Sequence, residues 1–301
     1  MSQKTLIVVL GPTAIGKTSL AIRLAQKFQA EIISADSRQF YREMNIGTAK
    51  PTVAELSNVQ HHFINSHHIN ETFSVGDFEK IGLEKLSEIF QTKDVAVLVG
   101  GSGLYLNAIC TGFDELPRAN PAIRIRLNQQ LKEEGISILQ KQLETLDPEY
   151  YIKVARDNPQ RLIRALEVCI STGNTFSSYH QGKTKIRDFR IIKIGLNTVR
   201  EALYKRINDR VDQMIEAGLV NEVKSLTSYR DFNALNTVGY TELFDFLDGN
   251  ITLEHAIELI KQNTRRFAKR QLTWFRKDDE IRWFETDQYP EIEDCIVQKI
   301  R

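Results

Sequence analysis

Cysteine is scarce: three residues in 301, Cys110, Cys169 and Cys295. Their odd number, wide separation and lack of C-x-x-C spacing suggest neither a disulfide framework nor a zinc site, and they read as reduced packing residues. Long apolar runs are missing too. Nothing approaches the eighteen or so apolar residues of a membrane span, and the opening MSQK runs into an apolar stretch without a signal-peptide pattern. The expectation is a cytoplasmic protein with no membrane partner. Excess charge of one sign is likewise absent. Forty Lys and Arg against 39 Asp and Glu leave +1, so the case for a polyanionic partner has to come from the local distribution of charge.

What is present is a soluble globular composition, 42% hydrophobic and 26% charged, in a chain long enough for one large domain or two modest ones. Four apolar runs read as buried parallel strands: TLIVVLG from Thr5, AEIISAD ending at Asp36, VAVLVGG ending at Gly101 and FRIIKIGLN from Phe189. Helical patterns separate the first three. Such alternation predicts an α/β fold, an open parallel sheet flanked by helices, with its ligand site at the carboxyl ends of the strands. Gly11, Asp36 and Gly101 all fall there.

From Leu116 to Asp188 the pattern changes to helical periodicity alone, in NPAIRIRLNQQLKEEG, ISILQKQLETLD and NPQRLIRALEVCISTG. Because FRIIKIGLN returns to a core-strand pattern, this stretch reads as an insertion. The expected domains are 1–115 plus 189–301 for the α/β core and 116–188 for an all-helical subdomain. TVREALYKRINDRVDQMIEAG then reads as one long helix opened by a Thr198/Glu201 capping box and closed at Gly218.

The stretch GPTAIGKT follows the first strand and precedes a helical pattern. G-x-x-x-x-G-K-[ST] in that context is a P-loop, so Gly11, Pro12, Thr13, Ala14, Ile15, Gly16, Lys17 and Thr18 are expected to cradle phosphates. Backbone N–H groups wrap the anion, Lys17 supplies charge and the Thr18 hydroxyl completes a Mg²⁺ shell. The strand VAVLV, however, runs into Gly100-Gly101 where an ATP-using P-loop enzyme usually sets a metal-organising carboxylate. The acid stands elsewhere, at Asp36, either a metal organiser or a general base aimed at the ligand; the plainer alternative is a strand-end Asp capping the next segment.

Arg206 and Arg210, four apart on one helix face, are placed to approach a phosphate or diphosphate. The segment from Lys261 to Lys277, KQNTRRFAKRQLTWFRK, contains no acid and is a candidate phosphate-backbone footprint. Its aromatics, Phe267, Trp274 and Phe275, read as core, not as stacking platforms. The histidines His61, His62, His67 and His68 lack a cysteine or carboxylate at a familiar ligand spacing and read as non-metal. ETFSVGDFEKIGLEKL reads as a capped amphipathic helix.

Taken in order, GPTAIGKT, ISADSRQFYREMNIGTAKP, FSVGDF, LVGGSGLYLNAI, NPQRLIRALEV, YKRINDRVDQMIEAGLVNEV, VGYTEL and AKRQLTWFR closely resemble the tRNA dimethylallyltransferases over nearly the whole chain. The resemblance implies a P-loop NTPase-like core with an inserted helical tRNA-binding subdomain. It implies transfer of a dimethylallyl group from dimethylallyl diphosphate to the exocyclic N6 amine of the adenosine 3′ of a tRNA anticodon. Lys17, Arg210 and Mg²⁺-bound Thr18 would then serve the departing diphosphate, and Asp36 would be the base. The implied tRNA contacts are Asp36, Ser37, Arg38, Gln39, Ser102, Arg124, Gln160, Arg161, Leu162, Ile163 and Arg164. Ser102 stands where threonine is more usual, and Asn65 where aspartate is common.

Two other readings share these features. A P-loop nucleoside or small-molecule kinase would use the same anion loop, since the motif does not separate ATP from an allyl diphosphate; a noncatalytic RNA-binding module would use only the basic segments. Nothing in the sequence demands more than a monomer.

Overall fold

The computed structural model describes residues 3–300 apart from 119, 181 and 183. It divides into two compact units, Met1–Thr111 with Ile186–Arg301, and Gly112–Lys185.

The larger unit runs β1 (Thr5–Leu10), α1 (Lys17–Lys27), β2 (Glu31–Ser34), α2 (Val53–Asn58), β3 (His61–His62), α3 (Val75–Thr92), β4 (Val95–Gly100) and α4 (Gly103–Cys110). After the helical unit, α5 (Pro121–Glu134), α6 (Ile136–Leu146), α7 (Pro148–Lys153), α8 (Pro159–Thr172) and α9 (Phe176–Tyr179), it resumes with β5 (Arg190–Asn197), α10 (Arg200–Glu216), α11 (Leu219–Ser225), α12 (Tyr240–Leu247), α13 (Leu253–Phe275), β6 (Arg282–Glu285) and α14 (Tyr289–Ile300).

Among the described residues six strands pair in the order β3-β2-β4-β1-β5-β6, every pair parallel. The centre is β1, all six of whose residues are buried; Ile7 registers with Val97 on one side and Ile192 on the other. A strand covered on both faces favours apolar residues throughout, which is why, after the buried Thr5, its sequence does not alternate. Ile7, Val9, Leu24, Ile32, Val97 and Ile194 belong to one core under α1, α10 and α14.

Four of the strands coincide with the apolar runs. The edge strands do not show in them. β3 is two histidines, and β6, Arg-Trp-Phe-Glu, is exposed at both ends; neither buries enough apolar surface to leave a pattern. β6 is nonetheless specified, because Gly195 of β5 gives the Trp283 ring its space: a Cβ there would lie 2.7 Å from the ring.

Helix starts follow their caps. Ser74 and Asp77 form a capping box at α3, as do Thr52 and Glu55 at α2. The Thr198/Glu201 box expected for α10 does not form. The helix begins at Arg200 with Val199 as N-cap and no side-chain cap bond, so Thr198 sits one residue too early to reach the free N–H groups. Among the described residues, no helix is long and apolar enough to cross a membrane.

The helical unit packs α5, α6 and α8 around Leu127, Leu139, Leu143, Leu162, Ile163 and Leu166. Among its described residues two carboxylates, Asp147 and Glu167, are fully buried. Asp147 accepts from Tyr150 N–H (3.0 Å) and from both Ser177 N–H (2.7 Å) and its hydroxyl (2.9 Å). Glu167 receives the Arg124 guanidinium at 2.5 and 2.9 Å.

Candidate active site

The P-loop leaves β1 at Gly11, whose φ of 147° and backbone packing leave no room for a side chain: a Cβ would stand 2.7 Å from the Leu196 carbonyl oxygen. Ala14 (φ 62°) and Gly16 (φ 101°) are also left-handed. Successive left-handed turns point N–H groups inward to form an anion nest, and α1 starts at Lys17 with no side-chain cap on its first turn. Those free donors and the helix dipole favour a negative ligand.

Lys17 Nζ donates to the Pro12 carbonyl at 2.7 Å. Its pKa is pushed down to about 7, chiefly by loss of water around the ammonium and next by Arg210, with Asp36 pulling the other way. Burial also pulls Arg210 down, against the fields of Asp36 and Glu55. Among the described residues none hydrogen-bonds the Arg210 guanidinium. Two cations disfavoured by their surroundings, beside a loop whose N–H groups from Ala14 to Thr18 have no partner among the described residues, make a site that gains when an anion enters.

A diphosphate bound here would hold Lys17 charged, so above pH 7 the complex would carry more protons than the free protein and affinity is expected to fall as pH rises. Calorimetry at pH 8 in buffers of different ionisation enthalpy, with an unreactive diphosphate ester whose own terminal ionisation, near pKa 6, is complete, should show uptake of about one proton per site. An uptake near zero would place the anion away from Lys17.

Arg206 meets the P-loop differently. It is exposed and its guanidinium reaches the Ile15 carbonyl and the Thr286 hydroxyl, both at 3.4 Å. Of the expected arginine pair, Arg210 shares the field of Lys17 and Asp36, while Arg206 reaches the backbone of the P-loop from outside.

Asp36 follows β2. One carboxylate oxygen accepts from the backbone N–H groups of Arg38 (2.9 Å) and Gln39 (3.4 Å). The other has no hydrogen bond among the described residues. Half of the carboxylate therefore caps the turn, as the plainer reading expects, and the other half is left without a donor among the described residues. Gln39 donates to the Thr48 and Ala49 carbonyls, each at 3.2 Å, and Arg38 to the Asn236 carbonyl at 3.3 Å. Ser37 is partly exposed beside them. Ser102 is the N-cap of α4, yet its hydroxyl makes no cap bond and is left for another partner.

Sequence reasoning did not single out the residues that hold these pieces. Glu222 of α11 accepts from the N–H groups of Asn45 (3.0 Å), Ile46 (2.7 Å) and Gly47 (3.0 Å) and from the Tyr240 hydroxyl (2.7 Å), fixing the loop that Gln39 braces. Gln271 is buried on α13 and bonded both to Thr13 of the P-loop (2.9 Å) and to Gly101 (2.7 Å). Its signal was present: position 271 lies on the buried face between Ala268 and Phe275, where a polar side chain needs a partner. Tyr105 lines the same region, its ring against Phe40 (5.5 Å) and Phe78 (5.2 Å), and burial pushes its hydroxyl up to about 12, so it stays a neutral phenol.

In the basic segment the aromatics divide. Phe275 is core, whereas Phe267 and Trp274 are 40% and 42% exposed, because the helix face that buries Ala268, Gln271 and Phe275 turns them outward. Arg270 lies over the Phe267 ring at 5.7 Å. Three of the four histidines are held by neighbours, while His61 has a buried Nε2 without a hydrogen-bond partner among the described residues. His62 pairs with Glu31 and His68 with Glu43, both at 2.7 Å, and His67 stacks on Phe73 at 3.9 Å.

Of the residues expected to touch tRNA in the helical unit, Gln160 and Arg161 are exposed at the start of α8. Leu162 and Ile163 are fully buried in the core of that unit, so their side chains pack inward; this corrects their assignment as contacts. Arg164 donates to the Pro117 carbonyl at 2.7 Å, and Arg124 is committed to Glu167.

The IPP transferase family model matches residues 39–278 of the chain. The chain is 57% identical over 296 residues to a tRNA dimethylallyltransferase of Christiangramia forsetii, covering 98% of each. It is 49% identical over 306 residues to one of Flavobacterium johnsoniae, covering 99% of each. Among solved structures it resembles the full-length tRNA isopentenylpyrophosphate transferase of Bacillus halodurans, with 39% identity, TM-score 0.74 and coverage of 99% of this chain and 97% of that one. It also resembles a eukaryotic dimethylallyltransferase acting on tRNA, with 26% identity, TM-score 0.80 and coverage of 98% and 77%.

Proposed function

Because the chain belongs to the IPP transferase family, we propose that this tRNA-modifying prenyltransferase takes its dimethylallyl group from dimethylallyl diphosphate. We place the acceptor at the exocyclic N6 amine of the adenosine 3′ of the anticodon. The observation that carries the reading is the pairing of a cationic anion nest, Lys17 and Arg210 beside the P-loop, with one carboxylate, Asp36, whose second oxygen is free.

In this reading the N6 nitrogen attacks C1 of the allyl group while the C1–oxygen bond breaks and its electron pair leaves on the diphosphate. The N6 proton passes to the free oxygen of Asp36. Lys17, Arg210 and the loop N–H groups hold the charge that develops on the leaving oxygens. An adenine inside a stacked loop has to swing out to reach Asp36, and Arg38, Gln39 and Ser102 stand beside that carboxylate or at the neighbouring strand end to receive it.

A Mg²⁺ ion fits the donors present. The Thr18 hydroxyl is a hard oxygen without a hydrogen-bond partner among the described residues, and a magnesium shell is ordinarily completed by phosphate oxygens and water, not by a full protein cage. Bound there it would supply further charge for the leaving group. We place the enzyme in the cytoplasm as a monomer. A kinase reading uses the same nest but has no carboxylate at the end of β4, which stops at Gly100-Gly101.

The test is to incubate the protein with an anticodon stem-loop bearing the target adenosine, Mg²⁺ and either dimethylallyl diphosphate or ATP, then weigh the RNA. Gain of a C5H8 unit with the allyl diphosphate alone is expected. An unchanged RNA with ATP consumed would overturn the reading in favour of a kinase.

A further inference from the structure

Gln271 stands between two loops that the reaction uses. Its Oε1 accepts from Thr13 N–H of the P-loop at 2.9 Å and its Nε2 donates to the Gly101 carbonyl at 2.7 Å, while the residue is only 6% exposed. The two bonds demand an acceptor and a donor at one side-chain tip, a few ångströms apart, which a primary amide supplies and a carboxylate or an ammonium does not. Three residues on, Trp274 of the same helix lies against Gly103. A Cβ at Gly101 would lie 2.5 Å from the amide nitrogen, and one at Gly103 2.2 Å from the indole nitrogen. α13 is thus seated on the Gly101-Ser102-Gly103 turn through two consecutive contacts, and Gln271 carries that seating to the P-loop. Lys17 Nζ lies in the same corner, 3.6 Å from where a Gly101 Cβ would be.

We infer that Gln271 is a positioning residue: it sets the spacing between the P-loop, which holds the donor diphosphate, and the Ser102 turn, which faces the acceptor. This rests on the functional reading above. Gln271 touches neither substrate. Its work is to keep the attacking nitrogen and the allyl carbon in line, where a displacement near 1 Å costs about 100-fold in rate.

Two variants separate this from a packing role. Gln271→Met keeps the volume and loses both bonds. Gln271→Glu keeps the acceptor for Thr13 but opposes the Gly101 carbonyl with a second oxygen. The measurements are single-turnover transfer with both substrates saturating, affinity for inorganic diphosphate and for the stem-loop, and deuterium exchange of the peptide spanning Gly11 to Thr18. Gln271→Met should slow transfer about 30- to 100-fold, leave both affinities within about threefold, and raise exchange in that peptide. Gln271→Glu should slow transfer as much while keeping the peptide protected.

Transfer at the wild-type rate by folded Gln271→Met would overturn the positioning role, and unchanged exchange would overturn the bridge itself. Were the wild-type protein to transfer nothing, the functional reading would fall and the exchange arm alone would decide whether Gln271 holds the P-loop.

Discussion

Asp36→Asn is expected to slow transfer by about 10²- to 10⁴-fold, the usual worth of a positioned base, with stem-loop affinity and thermal midpoint close to wild type. Asparagine is the informative choice because of how the carboxylate is divided. Its Oδ1 still accepts from the Arg38 and Gln39 N–H groups, so the turn survives, while the freed position carries an amide that accepts no proton. Alanine would remove the turn bonds as well and confuse geometry with chemistry. The size follows from the nucleophile: an adenine amine has its lone pair drawn into the ring and attacks well only as its proton departs. Single-turnover mass spectrometry of the RNA reads the rate, and a variant within about threefold of wild type would remove Asp36 from the proton path.

How much of this was legible beforehand depended on whether a residue announces itself by spacing or by partner. GPTAIGKT carries its own geometry: Gly11 and Gly16 are needed at left-handed φ, and Lys17 and Thr18 follow at fixed offsets, so the nest is readable from one line of sequence. The central strands are readable because burial on both faces favours apolar side chains at nearly every position, the buried Lys193 of β5 being tolerated because it is paired with Asp278 and Glu280. Asp36 is readable as a strand-end acid, though its division between cap and free oxygen is not. Glu222 and Gln271 leave weaker traces. Each does its work across 170 residues or more, on Asn45 to Gly47 and on Thr13 and Gly101, and a single sequence holds no record of such pairings. The same blindness let Leu162 and Ile163 pass as RNA contacts: in a run such as NPQRLIRALEV the motif marks the segment, and only helical phase decides which side chains face out.

Arg124 poses that question of phase most sharply, because fold and function both claim it. Its guanidinium makes a two-point pair with Glu167, whose side chain is 0% exposed while that of Arg124 is 45% exposed. Removing one partner of a fully buried pair costs about 3–5 kcal/mol. Here the outer half is wet, and Arg164 NH1, 3.6 Å from Oε2 of the same carboxylate, remains to share the charge. Arg124→Ala is therefore expected to cost about 2–3 kcal/mol, below that range, read by denaturant unfolding. Glu167→Gln removes the buried charge, so in the double variant most of the loss should be recovered, since no unpaired carboxylate is left in the core. Stem-loop binding then separates the two roles. If Arg124 also meets a phosphate, the double variant stays weak for RNA and its salt dependence loses about one unit of slope; if affinity returns with stability, Arg124 serves the fold of the helical unit alone. The charge of Arg124 is half spent inside the protein. That makes Gln160 and Arg161, exposed and outside any such pair, the side chains of this unit whose loss should weaken RNA without touching stability.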